Sequence, residues 1–353
     1  MTSGVAPDRR AGERSVRLCS ESAALLDWLL REPIRYPDGR LAAWLDDQRP
    51  VFPYEESTGY LISLLAWLYR QTGEPRFCRE AWRSATALAR ALGDRPGCGR
   101  DGRIYLFDTA VCLRALGSVL ALPPETGDVA ERAALSALAT RLARTVLSLF
   151  RRRRAVLDDE APAGSPRWSE AFTFHLLKAL PFSLPWLSEL RELLDWRALA
   201  DEWIGAHYRD GLFVLPGPSD RVYLHAHCYA AEGLLGLADS GYRPAEILPP
   251  AIGDRLAGLQ MPSGALPRWH PENGEREAAG DATAQAVRLW QCLDAAAYAG
   301  PIARGLAYLR ASIAPAGGVY YSSHLRHPNS WATIFARQAL QWGDGPGEKQ
   351  QLI

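Results

Sequence analysis

The residues of this chain best suited to chemistry stand at the start of one apolar stretch, residues 223–237, which reads YLHAHCYAAEGLLGL. His225 and His227 carry imidazoles, which take up and release protons near neutral pH. A helix that begins near His225 places Tyr229 and Glu232 on or near the same face, with His227 about a third of a turn away. The pattern predicts His225 and His227 as acid and base, with Tyr229 beside them.

A structural role is the alternative for these histidines, since one of them can pack in the core and hydrogen-bond a carbonyl. Other helix starts in the chain use Ser, Asp or Asn, which cap helices well. Imidazole is a poor cap, so the pair favours a working site. His225, His227 and Cys228 are neighbours on one helix and converge poorly on an ion, so no metal site is predicted. No cofactor is predicted either.

Similar helix starts recur along the chain. Each follows a loop with an aromatic residue, opens with a short polar group and continues into a helix rich in Leu and Ala. The starts are marked by Glu56, Asp108, Glu170, His225, Asp281 and Asn329, which lie 52, 62, 55, 56 and 48 residues apart. That spacing accommodates two helices and two loops, so each period is predicted to be a helical hairpin.

Arginine-rich amphipathic segments lie between these starts and are predicted to be outer helices with one solvent-facing side. They are residues 75–92, 128–150, 187–207, 244–259 and 301–313. Six hairpins need twelve helices, and residues 21–31 supply the twelfth by closing the ring from the N-terminal side. The predicted fold class is therefore all-α, an (α/α)6 barrel over residues 20–345, with loose tails at 1–19 and 346–353.

The loops before the inner helices are rich in aromatic and ionisable residues. If the inner helices all run in one direction, these loops converge over a concave floor, as a ligand site requires. Asp281 is predicted to be catalytic, together with the histidines and Tyr229. Asp108 and Asp281 also stand where helix caps are expected, and that alternative stays open. The predicted substrate-binding residues are Tyr54, Glu56, Asp108, Arg167, Trp168, Glu170, Tyr223, Arg268, Trp269, Tyr321, His324 and Trp331.

Composition argues against several classes of protein. The 353 residues carry 40 Lys and Arg against 40 Asp and Glu, a formal net charge of +0, which provides no electrostatic footprint for nucleic acid. The six cysteines include no CxxC pair, so no disulfide framework is predicted. The chain begins with polar residues, and no apolar run reaches the length of a membrane span. A cytoplasmic protein that binds a small molecule is expected, with its oligomeric state left open.

The hairpin pattern resembles the α/α-toroid superfamily. The likeness is carried by EESTGYLISLLAWLYRQTGEPRF, GRIYLFDTAVCLRAL and GDATAQAVRLW, and it extends over roughly residues 54–342. That superfamily includes terpenoid cyclases, protein prenyltransferase β-subunits and (α/α)6 carbohydrate enzymes. N-acylglucosamine and cellobiose 2-epimerases resemble the chain in placing His and Glu at inner-helix starts. The DxDD motif of class II terpene cyclases and the zinc-ligand patterns of prenyltransferases and lanthionine cyclases are absent.

These features predict a cofactor-independent enzyme that acts on a carbohydrate or sugar-like substrate by proton transfer. Epimerisation or isomerisation is preferred, followed by elimination or hydrolysis. Arg167 and Arg268 would suit an anionic substituent. Two alternatives stay open: a terpenoid-type cyclase with a non-standard acid such as Asp281, and a toroid that binds without catalysing. A polar cavity floor would favour a sugar, and an apolar aromatic floor a polyene.

Overall fold

A computed structural model describes residues 19–123, 126–158, 167–217, 220–271, 276–343, 345–349 and 352. The predicted N-terminal tail lies outside these residues except for Cys19. Of the predicted C-terminal tail, residues 346–349 and Leu352 are described, and Leu352 is buried against the body of the protein.

Twelve α-helices occur in the described part of the chain, the number that the repeat predicts. They are α1 (Ser20–Leu29), α2 (Glu55–Thr72), α3 (Pro75–Leu92), α4 (Leu106–Leu120), α5 (Val129–Arg152), α6 (Ala179–Glu189), α7 (Trp196–His207), α8 (Leu224–Gly236), α9 (Arg243–Leu259), α10 (Gly280–Asp294), α11 (Ala299–Ala311) and α12 (Ser330–Trp342). The even-numbered helices are buried on most sides, whereas the odd-numbered ones keep an exposed face. Each even-numbered helix packs on the next, and α12 packs on α2, which closes an inner ring.

Helix α1 joins the ring by packing along α12, as its predicted role as the twelfth helix requires. Glu21 pairs with Arg310 of α11 at 3.2 Å. The Trp28 ring lies against Gly317 and Gly318, whose φ angles are 95° and 79°. A Cβ on either glycine would come within 2.6 Å of the ring, so this turn requires glycine.

Short antiparallel strands, which the helical pattern does not predict, connect the loops. They are β1 (Leu45–Asp46), β2 (Arg49–Pro50), β3 (Gly99–Arg100), β4 (Arg103–Tyr105), β5 (Val156–Leu157), β6 (Tyr208–Arg209), β7 (Leu212–Phe213), β8 (Val222–Tyr223), β9 (Leu266–Pro267), β10 (Trp269–His270), β11 (Ala278–Ala279), β12 (Val319–Tyr320) and β13 (Pro328–Asn329). The pairings are β1 with β2, β4 with β3 and β5, β6 with β7, β8 with β10, β9 with β11, and β12 with β13. Because β8 pairs with β10, the loops before α8 and α10 are held side by side.

The third inner helix begins later than predicted. Instead of a helix from Trp168, the chain forms a 3-10 turn over Trp168–Glu170 and a second one over Phe174–Lys178, which continues into α6. Glu170 accepts a hydrogen bond from the backbone N–H of Arg167 at 3.0 Å, so it closes a tight turn and opens no helix. The outer helix α7 likewise begins later than the predicted residue 187, because residues 187–189 complete α6.

Helix α5 is the one described helix that is long and apolar enough to cross a membrane, judged by length and composition. The sequence predicts no apolar run of that length. Half of the most apolar 18-residue window of α5 is buried inside the protein, where the helix packs on α4. We interpret α5 as an outer helix of the barrel.

Candidate active site

The inner helices begin around a cavity of about 240 Å³. Its wall comes from the first turns of α2, α4, α8 and α12 and from the segment before α6, so these helices start at one end of the barrel, as predicted. The predicted site residues that line the cavity are Tyr54, Glu56, Asp108, Arg167, Trp168, Tyr223, His225, Tyr229, Arg268, Tyr321 and Trp331.

The second residue of each inner helix belongs to one ring at this end of the barrel. For the third hairpin, the 3-10 turn that leads into α6 supplies the equivalent position. The ring consists of Glu56, Phe107, His175, His225, Asp281 and Trp331. All but Asp281 line the cavity, and Asp281 lies directly behind His225. Equivalent positions of the six hairpins therefore lie together at one site.

His225 and Asp281 form a buried pair across α8 and α10. His225 Nδ1 lies 3.1 Å from Asp281 Oδ2, at an angle outside hydrogen-bond geometry. The Trp331 indole N–H donates to the same carboxylate oxygen at 3.3 Å, and the Ala282 N–H donates to Oδ1 at 2.7 Å. The carboxylate is thus fixed in place beside the imidazole. A carboxylate in this position offsets the charge that the imidazole gains when it takes up a proton.

Glu56 and Asp108 are carboxyl groups that line the same cavity; Glu56 is buried and Asp108 is half-buried. Glu56 accepts hydrogen bonds from the hydroxyls of Tyr54 and Tyr229, the latter at 3.1 Å. Burial raises the pKa of Asp108 well above its usual range, and Glu56 raises it further, while Arg100 acts in the opposite direction. Asp108 is therefore suited to holding a proton that it can donate.

Neither aspartate occupies the N-cap position of its helix, although Asp281 still accepts a first-turn N–H, that of Ala282. The N-cap positions of α4 and α10 belong to Tyr105 and Ala279. Asn329, by contrast, caps α12 by accepting from the Ala332 N–H at 2.9 Å. The carboxyl group of Asp108 thus faces the cavity, and that of Asp281 faces His225.

His175 also lines the cavity, although the sequence analysis did not single it out. Its side chain is buried, and neither ring nitrogen has a hydrogen-bond partner within the described residues. The ring lies 5.4 Å from that of Trp168 and 5.9 Å from that of Phe107. Burial lowers the pKa of His175 to about 3, helped by the nearby His225, so the ring is neutral at physiological pH. A neutral imidazole can both donate and accept a hydrogen bond from a ligand hydroxyl.

His227 lies away from the cavity, which corrects its predicted pairing with His225. Residues two apart on an α-helix are separated by roughly 200°, so they face opposite sides. The His227 ring is fully buried, and its Nδ1 accepts a hydrogen bond from the Phe213 N–H at 3.0 Å. Burial lowers its pKa to about 3. His227 is held in the core as a neutral hydrogen-bond acceptor.

The equivalent position in four other inner helices is a threonine, and comparison with these threonines explains the role of His227. Each is the fourth residue of its inner helix and accepts the backbone N–H of a residue in the loop before that helix, at 2.8 to 3.0 Å. The threonines are Thr58 in α2, Thr109 in α4, Thr283 in α10 and Thr333 in α12. His227 is the fourth residue of α8 and makes the same kind of contact.

Three predicted substrate-binding residues lie outside the cavity wall. Glu170 pairs with Arg103 at 3.0 Å. The Trp269 ring packs on the outer side of Tyr223, with ring centroids 4.7 Å apart. His324 lines a separate surface pocket formed with the β1–β2 turn. Glu170 and Trp269 therefore contact residues next to or on the cavity wall, whereas His324 lies outside the site.

The cavity lining combines charged side chains with aromatic rings. Arg100 lies over the Tyr54 ring at 5.5 Å, and Arg268 lies over the Tyr321 ring at 5.2 Å while pairing with Glu277 at 3.2 Å. Within the described residues, no group of three His, Cys, Asp or Glu side chains is arranged to hold a metal ion. Charged groups set among aromatic rings fit a hydroxylated or anionic ligand better than a polyene.

Solved structures of other proteins share the fold of this chain. No protein-family model matches the chain, and no curated protein matches it. Cellobiose 2-epimerase from Spirochaeta thermophila matches in structure with a TM-score of 0.61 at 16% identity, over 91% of this chain and 94% of that one. The unsaturated glucuronyl hydrolase of Bacillus sp. GL1 matches with a TM-score of 0.65 at 13% identity, over 91% and 96%. A D-mannose isomerase matches with a TM-score of 0.63 at 10% identity, again over 91% and 96%.

The fold is an α/α toroid. This confirms the predicted (α/α)6 barrel and the resemblance to toroid carbohydrate enzymes. At these identities the likeness establishes the toroid architecture, and the chemistry has to be argued from the cavity itself.

Proposed function

We propose that this toroid is a cofactor-independent enzyme that transforms a sugar by moving a proton on and off carbon. The observation that carries the proposal is the imidazole of His225 on the cavity wall, with the Asp281 carboxylate fixed 3.1 Å behind it. An imidazole with a buried carboxylate partner is suited to act as a general base. Asp108, whose pKa is raised, supplies the complementary acid on the same cavity.

The reaction follows from these two groups. His225 removes the proton from a carbon next to the sugar carbonyl, while Asp108 donates a hydrogen bond to the carbonyl oxygen as it gains negative charge. In an isomerisation, His225 returns the proton to the former carbonyl carbon, while Asp108 gives its proton to the carbonyl oxygen and takes up the proton of the neighbouring hydroxyl. In an epimerisation, His225 keeps the removed proton, Asp108 gives its own proton to the opposite face of the same carbon, and proton exchange with solvent returns both groups to their starting state. His175, as a neutral imidazole, is placed to hold a substrate hydroxyl.

The cavity wall supports a sugar-like substrate. Trp168 and Tyr223 offer ring faces against which the apolar face of a sugar ring can pack. Arg167 and Arg268 offer guanidinium groups for a carboxylate or phosphate substituent. Three structural neighbours are, by their names, a cellobiose epimerase, a mannose isomerase and a glucuronyl hydrolase. The ionisable lining also argues against the alternative of a terpenoid-type cyclase.

Hydrolysis of a glycosidic bond is the second candidate, and one observation favours it. Glu56 and Asp108 are carboxyl groups that line the same cavity, and Glu56 raises the pKa of Asp108. Glycosidases use one protonated and one ionised carboxyl group on either side of the bond they cleave. In that reaction Asp108 would protonate the leaving oxygen, and Glu56 would act on the opposite side.

Proton NMR in D2O on a panel of aldoses, ketoses, disaccharides and uronic-acid glycosides tests both candidates. Proton transfer at carbon predicts a new sugar whose carbon next to the carbonyl has acquired deuterium. Hydrolysis predicts free reducing sugar with no deuterium on carbon. A panel that the protein leaves unchanged would contradict both, and would favour a toroid that binds without catalysing.

A further inference from the structure

A second and larger cavity, of about 670 Å³, opens at the opposite end of the barrel, where the inner helices end. Arg70 near the end of α2, Arg114 in α4 and Phe182 and Trp186 in α6 are on its wall. None of its lining residues lines the first cavity. The two cavities are therefore separate sites in one barrel, divided by the middle of the inner helices.

The buried carboxylate on this wall, Glu232, already serves two cations. Its Oε2 lies 2.6 Å from Lys178 Nζ, and its Oε1 binds the guanidinium of Arg288. All three side chains are almost completely buried. Glu189, the other carboxylate on the wall, is exposed at the mouth. The Glu232 carboxylate is therefore already engaged by Lys178 and Arg288.

Arg114 is a half-buried cation on the same wall. Within the described residues, its guanidinium makes no hydrogen bond or ion pair; it lies 4.4 Å over the Phe182 ring. Burial lowers the pKa of Arg114 to about 10; Tyr60 and Glu232 raise it, and Arg288 and Arg70 lower it further. A partly desolvated guanidinium that forms no ion pair gains from a bound anion.

We propose that the second cavity binds a small organic anion whose phosphate or carboxylate group is held by Arg114 and Arg70. Arginine presents its N–H donors as a planar fork that matches the oxygens of these groups. The ring or apolar part of the ligand would lie against Phe182 and Trp186, which form the aromatic side of the cavity. This site does not depend on the reaction proposed for the first cavity.

Isothermal titration calorimetry with phenyl phosphate, benzoate and phenol tests the proposal on the full chain. Phenyl phosphate or benzoate is expected to bind, and the stronger of the two identifies the anionic group. Neutral phenol is expected to bind at least tenfold more weakly, because it lacks the charge that Arg114 holds. Absence of binding by both anions at millimolar concentration would overturn the proposal.

Variants distinguish this cavity from the first. Arg114→Gln is expected to weaken anion binding at least tenfold, whereas Arg268→Gln in the first cavity and Arg90→Gln on the exposed surface of α3 leave it unchanged. Unaltered affinity in Arg114→Gln, or loss in Arg268→Gln, would refute the assignment. If Arg114→Gln does not fold, Arg70→Gln tests the site instead, because Arg70 is exposed at the mouth of the cavity. Arg70→Gln is expected to bind the anion about threefold more weakly. Unchanged binding by this variant would contradict the site.

Discussion

His225 and His227, two residues apart on α8, face opposite environments. His225 points into the cavity with Nδ1 3.1 Å from Asp281, whereas Nδ1 of His227 accepts the Phe213 N–H at 3.0 Å in the core. The first histidine is available to a substrate, and the second completes a contact that threonine makes in other hairpins. The two should therefore respond differently to substitution.

A matched pair of substitutions at His227 tests its structural role. His227→Thr places at this position the residue that α2, α4, α10 and α12 have there, and it keeps an acceptor for the Phe213 N–H. His227→Val has nearly the same shape but no acceptor, so it leaves a buried N–H unsatisfied. We expect the Val variant to be about 1–3 kcal/mol less stable than the Thr variant in urea unfolding. Equal unfolding free energies would contradict the role.

Stability should fall as the solution becomes acidic. Burial lowers the pKa of both His175 and His227 to about 3, whereas a histidine in an unfolded chain titrates near about 6.5. Between these values the unfolded state binds more protons, so stability rises with pH and is lost on acidification from about pH 6.5 downwards. Each histidine contributes a slope of up to roughly 1.4 kcal/mol per pH unit.

Urea unfolding at pH 7, 6 and 5 measures this slope. The His175→Phe, His227→Thr double variant serves as the control, because it lacks both groups and should lose less stability on acidification. Parallel pH dependence in the wild type and the double variant would show that these histidines are not the cause.

Asp108→Asn should lower turnover by roughly two to four orders of magnitude, because the amide cannot donate the acidic proton. The melting temperature should stay the same or rise, since the substitution removes a half-buried acid that interacts unfavourably with Glu56. In the wild type, activity should decline as the pH rises through the raised pKa of Asp108. Asp128→Ala is the control: it removes the cap of α5, with a cost of about 1 kcal/mol, and should leave turnover unchanged. Wild-type turnover in Asp108→Asn would exclude the acid role.

Glu232→Gln should destabilise the barrel by about 3–5 kcal/mol, because it removes the carboxylate that the buried Lys178 and Arg288 share. The control is Glu202→Gln, which breaks the half-exposed surface pair with Arg153 and should cost at most about 1 kcal/mol. Chemical unfolding compares the two. A similar loss in both variants would show that the buried network contributes no more than a surface pair.

The hairpin repeat could be predicted because its signals are local. Helix α3 spans the predicted residues 75–92, with Pro75 at its first position and Gly93 just after its end. The third start could not be placed, because Glu170 fits a helix start by spacing but folds back on Arg167. That misplacement hid His175, which aligning the second position of every inner helix would have found.

Contacts across the barrel were less predictable. Glu232 lies in an apolar helix, where a carboxylate needs a partner, and Arg288 is one. Lys178 is the second partner and lies 54 residues away in sequence. Periodicity shows which polar residues are buried, but not which of them meet, because that depends on distances between helices. The cavity that Arg114 lines also depends on the distances between helices, so the sequence pattern does not predict it.

The most direct test of the proton-transfer account follows deuterium incorporation from D2O into the sugar substrate by NMR. The wild type and His227→Thr should incorporate deuterium at rates within about threefold of each other, because His227 lies outside the cavity. His225→Gln should incorporate it roughly 10² to 10⁴ times more slowly while keeping the wild-type melting temperature. Undiminished incorporation in folded His225→Gln would contradict the account.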